Sequence, residues 1–474
     1  MLEAKGLWLA AALVLLAAAA QAGEIRRLSR AELLDRLRGG WAGQMIGNVQ
    51  GLPFEFKYKD EPGPLPDFTP NLPRCPSDDD TDIEWTHLHT MDRLGTLLVP
   101  YPELAREWVR SINRRIWVSN EQARKLIGQG ITPPWTSHFA LNPHARYNLS
   151  GQFCAEAFGL LAPGLPREAA RIARHYLHIT VRGEPIQAGA HTTAMISLAF
   201  FERDVPRLIA RSLAAVDPES QHAEMLRDVI AWHQQWPSDW QATRSAIQRK
   251  YRDERGWNMN ATVTNGALVA AALLYGKGDF VQTMRLSFAM GYDADCNAAT
   301  CGTVLGVMLG AKAMAAHPGW VLPEHYDNNT RDGLPKSETM DDLVALTARL
   351  AEKAILAAGG RIVGAMSPSR DTRRGDTPPT GDGDAAVYLI PAQEPALLER
   401  LKDGLPTGGL DEVNAAMDKE ALARLDDPSP AARAFAAIRL ANRRDRLSPA
   451  EAARVRAVLD EALKDDVLAP LARP

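Results

Sequence analysis

From Arg30 to about residue 360, apolar residues recur every three or four positions and almost nowhere alternate. Ser29-Arg30-Ala31-Glu32 reads as a capping box opening a first helix, and Leu33, Leu34 and Leu37 follow at helical spacing. The same periodicity appears over 82–97, 166–178, 187–202, 263–275 and 295–315. A strand would show period-two alternation of β-branched and aromatic residues, which is nearly absent here. The spacing therefore predicts an all-α fold. Several of these helices are rich in Ala and Gly, which lets helix axes come close.

Of the 474 residues, 46% are hydrophobic, so a large core can form without disulfides. Length alone suggests about two or three domains. The formal net charge is −4 with mixed signs, which speaks against a nucleic-acid surface. Cys75, Cys154, Cys296 and Cys301 form no CxxC pair, so a zinc site is not expected and no disulfide is demanded.

Residues 1–22 read as a signal peptide: Lys5, an apolar run from Gly6 to Ala20, then Ala20-Gln21-Ala22. The run is short for a membrane span, so the mature chain is expected to be periplasmic or extracellular, with no span of its own. The main domain is expected over 23–362. A polar, Pro/Gly-rich linker covers 363–386, centred on Ser367–Gly383. Residues 387–474 are expected to form a small helical appendage, with a HEAT-like hairpin after Asp426-Asp427-Pro428. The linker itself should carry few contacts, so removing 365–474 is expected to leave the main domain folded.

Three segments carry chemistry. Gly43, Gly47 and Gly51 place a bare stripe on one helix, and Pro53 ends it just before Glu55. Asp78, Asp79, Asp80 and Asp82 open a second helix; helix-start capping explains one or two of them, whereas four crowded carboxylates call for a cation. Hard divalent cations prefer such oxygen clusters. Asp293 and Asp295 precede a helix with small residues at Ala298, Gly302, Gly306 and Gly310. They do not form an EF-hand loop, because the later Glu is missing.

Taken in this order, the segments resemble the ADP-ribosylglycohydrolase family over roughly residues 30–325. The Pro53-Phe54-Glu55 step, the Asp78–Thr81 motif and the Gly291–Asp295 motif carry the likeness. The resemblance implies an all-α orthogonal helical bundle and two Mg²⁺ ions, with Mn²⁺ as a substitute. It implies that Asp78, Asp79, Asp80, Thr81, Asp293 and Asp295 hold the metal and that Glu55 is the catalytic carboxylate. Asn48, Asn297 and Trp135 are the candidate substrate contacts. The implied activity is hydrolysis at the ribose anomeric carbon of ADP-ribose conjugates. A secreted glycosidase or nucleosidase acting on another furanoside, and a non-catalytic ligand-binding homologue, are the alternatives. The implied partner is a small-molecule or protein-linked ribosyl substrate.

The chain also departs from the family pattern. Asn48 replaces an Asp, Asp78 a Thr or Ser, and Cys296 a Thr or Ser ligand, while Thr180-Val181 stands for a Thr-His step. A neutral thiol is a poor partner for Mg²⁺. His178 and His191 are expected to be packed rather than catalytic, and Asn260 and Asn265 to cap a helix.

Overall fold

The computed structural model describes residues 24–364, 385–398, 405–443 and 447–472. The expected signal peptide and most of the expected linker lie outside these residues. Within them the chain is all-α, with two small three-stranded sheets.

The longer helices are α1 (Arg30–Gly51), α2 (Asp79–Leu94), α3 (Tyr101–Ser111), α4 (Val118–Gly128), α5 (Pro166–Leu177), α6 (Glu184–Ala199), α7 (Gln221–Gln235), α8 (Thr262–Gly276), α9 (Phe280–Met290), α10 (Ala294–Leu309) and α11 (Met340–Ala357). After them come α12 (Leu410–Arg424), α13 (Pro430–Ala441) and α14 (Pro449–Ala462). The capping box is present: the Ser29 hydroxyl accepts the Glu32 N–H at 3.2 Å, and the Glu32 carboxylate accepts the Ser29 N–H at 3.0 Å.

Helices α1 and α10 form the spine and run antiparallel. A Cβ at Gly43 would lie 2.0 Å from the Gly302 carbonyl oxygen, and one at Gly302 would lie 2.1 Å from that of Gly43. The same close approach recurs from Gly39 against Gly306 to Gly47 against Ala298 and Gly51 against Asp295. Backbone therefore touches backbone at four successive points, about a turn apart, which bare positions on α1 permit. This contact brings the end of α1 to the start of α10. Helix α8, buried at every position, also packs against α10.

The sheets sit at the edges. One is β2 (Arg74–Pro76), β3 (His325–Asp327) and β4 (Ser337–Thr339), with Cys75 opposite Tyr326 and Tyr326 opposite Glu338. The other has the order β1-β6-β5, formed by β1 (Ile25–Ser29), β5 (Arg361–Val363) and β6 (Val387–Pro391).

Strand β6 departs from the helical expectation for 387–474. Its burial alternates, with Tyr388 and Ile390 inward, but over only five residues, too few to stand out as a period in the sequence. It pairs Arg27 with Leu389 and so binds the C-terminal segment to the start of the chain. The terminal helices also dock on the main body. Phe435 and Ile438 join the large core, and Arg106 pairs with Asp465 at 3.1 Å. A Cβ at Gly130 would lie 2.3 Å from the Arg439 nitrogen. The expected linker lies mostly outside the described residues, but the segment beyond it thus packs on the main body.

A carboxylate-lined cleft as the candidate active site

The site forms where three chain segments meet. At Gly291 (φ 77°) the backbone bends left-handed, and a Cβ there would lie 2.0 Å from the Tyr58 carbonyl oxygen. The Phe56 N–H donates to the Tyr292 carbonyl at 2.7 Å, and the Tyr292 N–H to the Tyr58 carbonyl at 3.2 Å. These bonds clip the turn after α1 to the bend before α10, so Glu55 stands beside Asp293 and Asp295. One oxygen from each of these three carboxylates lies within 4.8 Å of the others. Asp78, Asp79 and Asp80, at the start of α2, gather equally closely, and Asp80 joins Asp295 and the Cys296 thiol in a third group.

These groups line a cleft of about 300 Å³. Glu55, Asp78, Asp79, Asp293 and Asp295 face it, and Asp80 lies buried behind them. The negative charges crowd one another. Partial burial, then Asp293 and Asp78, pushes the Glu55 carboxyl up to about 7. Burial and neighbouring carboxylates also raise Asp79, Asp80 and Asp295 above the usual range. Burial does the same to the Cys296 thiol, keeping it neutral.

One oxygen each of Asp80, Asp293 and Asp295 is buried without a hydrogen-bond partner. Unpaired buried carboxylate oxygens are costly unless a cation meets them. All the donors are hard oxygens apart from Cys296. The residues present therefore fit a hard divalent cation, which Asp78, Asp79, Asp80, Asp293 and Asp295 would hold.

The chain matches the family model for ADP-ribosylglycohydrolase over residues 29–357, more than half its length. It belongs to the ADP-ribosylglycohydrolase family. The match ends where α11 ends, so β5, β6 and the terminal helices lie beyond it. One solved structure similar to this chain is an ADP-ribosylglycohydrolase-related protein complex; it is 16% identical, with 68% of this chain and 99% of that chain covered and a TM-score of 0.38. No curated protein sequence matches the chain significantly. Family membership supports a glycohydrolase-like enzyme.

Several ADP-ribosylglycohydrolase positions fall elsewhere than expected. Asn48 is fully buried beneath the carboxylates, where its amide donates to Asp78 at 3.0 Å and also to Asp80. It braces the site and does not face the cleft. Asn297 is likewise buried, donating to Asn265 at 2.8 Å and accepting from Gln152 at 3.3 Å. Asn265 also accepts the Asp293 N–H at 3.3 Å, so this pair fixes the bend rather than capping a helix. The Thr81 hydroxyl donates to Gln44 at 3.2 Å, inside a buried network with Glu84 and Glu156. Of the four clustered carboxylates, Asp82 turns away and pairs with buried Arg331 at 2.6 Å.

Trp135 does not reach the cleft. It packs on Val413 and Met417 and donates to Glu420 at 2.7 Å, anchoring the C-terminal helices. Val181 is in the core, and His178 and His191 are buried away from the cleft. The exposed aromatic in the cleft is instead Trp117, joined in the lining by Phe56, Phe153, Asn120, Asn148 and Asn260. Asn260, expected as a cap, lines the cleft, and Ala261 holds the N-cap position. Trp117 sits in no recognisable motif, and its 50% exposure is its only signal.

Proposed function

We propose that the chain is a magnesium-dependent glycohydrolase that cleaves an N- or O-glycosidic bond at the anomeric carbon of a ribosyl substrate. The family suggests ADP-ribose-type substrates for such a site. The observation that carries the reading is the set of partnerless buried carboxylate oxygens on Asp80, Asp293 and Asp295, the last two gathered with Glu55. Asp78, Asp79, Asp80, Asp293 and Asp295 would hold two Mg²⁺ ions, and the same oxygen donors suit Mn²⁺. Bound there, the ions would supply Lewis acidity toward sugar hydroxyls and water.

The chain's own part is to place a proton-transfer group and to shield the reaction. Glu55, with its carboxyl raised to about 7, can take or give a proton near neutral pH. Cationic charge on Asp293 would pull that value down, toward the base form that activates water. Cleavage at an anomeric carbon builds oxocarbenium character, which a negative cleft stabilises. The N-terminal apolar run supports a mature protein outside the cytoplasm.

Glu55→Gln keeps the size of the side chain and removes the proton acceptor. It is expected to slow ribosyl hydrolysis by ~10²–10⁴-fold while leaving Mg²⁺ binding unchanged. A variant keeping more than about a tenth of wild-type turnover would take Glu55 out of the mechanism.

A further inference from the structure

Among the described residues lining the cleft, Cys296 alone carries a sulfur. It stands in the first turn of α10, and its sulfur lies within 4.8 Å of one oxygen of Asp80 and one of Asp295. Asp80 is 0% and Asp295 4% exposed, and each keeps one oxygen without a hydrogen-bond partner. The other oxygen of Asp80 is already held by Asn48.

A buried cysteine commonly serves as a small apolar residue. Cys301, further along the same helix, is such a case: fully buried, its thiol donates to the Val269 carbonyl at 3.8 Å. Cys296 differs in lying beside two buried carboxylates with unmet oxygens and in lining the cleft, where a solute ion can reach it. Carboxylate and thiolate together favour a borderline ion such as Zn²⁺ or Co²⁺ over Mg²⁺, which takes oxygen donors in strict octahedral geometry. Three protein donors with one position left open is the pattern of a catalytic zinc site. The lack of a CxxC pair speaks against an all-thiolate site, and a mixed site needs only one thiol. The group of Asp78, Asp79 and Asp80, by contrast, offers oxygen alone.

We propose that the two cation positions differ in kind: Asp78, Asp79 and Asp80 take Mg²⁺, while Asp80, Asp295 and Cys296 form a mixed position selective for Zn²⁺ or a similar borderline divalent ion. Sulfur would bind as the thiolate, its proton released to solvent. This rests on the metal-dependent reading above and narrows the identity of one ion. Excess Mg²⁺ would still enter the mixed position through the two carboxylates, with lower affinity.

The test uses full-length protein stripped with a chelator and reloaded with Co²⁺, whose sulfur-to-metal charge-transfer band reports a bound thiolate. Wild type should show the band. Cys154→Ser, which removes a different buried thiol, should keep it, and Cys296→Ser should lose it. In calorimetry, Cys296→Ser should weaken Zn²⁺ binding by at least about 10- to 100-fold, the loss typical of groups that merely support a ligand. It should leave Mg²⁺ affinity essentially unchanged, since a hydroxyl suits that ion no worse than a thiol. A Co²⁺ complex without the band, a band that survives Cys296→Ser, or Zn²⁺ and Mg²⁺ affinities that fall together would each overturn the proposal. A crystal of Zn²⁺-loaded wild type answers without any variant: anomalous scattering should place an ion about 2.3 Å from the Cys296 sulfur. An ion bound by carboxylates alone would overturn the proposal. Failure of the hydrolase reading would appear separately, as loaded wild type that shows the band yet turns over no ribosyl substrate.

Discussion

Asp80 has one oxygen accepting from Asn48 and the other buried without a partner. Burial and neighbouring carboxylates raise it, with Asp79, Asp295 and Glu55, above the usual carboxylate range. Such raised carboxyls favour folding at low pH, and that stability is lost as pH rises from about 4.5 toward about 7, the two values for Glu55. Buried His191, lowered to about 4, acts in the opposite sense, losing stability as pH falls below about 6.5. Measuring the melting temperature with and without Mg²⁺ cancels the histidine effect. The gain from Mg²⁺ should be larger near pH 7.5 than near pH 5, because the cation replaces protons that neutral pH has made costly. An equal gain at both values would contradict a carboxylate metal site. At this scale the sequence shows which residues are acidic but not which way each points. Asp82 looks like its neighbours in the sequence, yet it is committed to Arg331, 249 residues away. Asn48 and Asn297 lie next to the motifs but behind the cleft, because successive residues on a helix point about 100° apart.

The site is only as exact as the contact between α1 and α10, which fixes Glu55 against Asp293 and Asp295. The two small-residue stripes, Gly43-Gly47-Gly51 and Ala298-Gly302-Gly306, were legible as spacing, and their mutual contact is what gives that spacing meaning. Gly302→Ala would drive a methyl into the Gly43 carbonyl, where backbone cannot yield as a side chain would. Overpacking of this kind costs about 1–3 kcal/mol. Chemical denaturation should show a loss in that range, with weaker Mg²⁺ binding as the carboxylates separate. A variant as stable as wild type, with unchanged affinity, would show that the helices have room to part. Strand β6 was not legible, since a five-residue alternation gains its significance only from pairing with β1 across the chain.

At the scale of the whole molecule, the C-terminal helices cover part of the family domain. Trp135, Ile131 and Leu126 are buried against Val413 and Met417, and large apolar side chains lose about 1.5–3 kcal/mol each when uncovered. Deleting 405–474 should therefore lower the melting temperature by at least about 4 °C. An unchanged melting temperature would mean that the docking contributes little. The all-α class and the acidic motifs were readable because helical period and residue type are local properties. Trp117 and the β6 pairing were not, because both depend on long-range packing. The most direct test is turnover of a ribosyl substrate, p-nitrophenyl ribofuranoside or ADP-ribosyl-arginine, by protein stripped with a chelator and then reloaded. Hydrolysis should vanish on stripping and return with Mg²⁺; hydrolysis that persists in the stripped protein would contradict a metal-dependent active site.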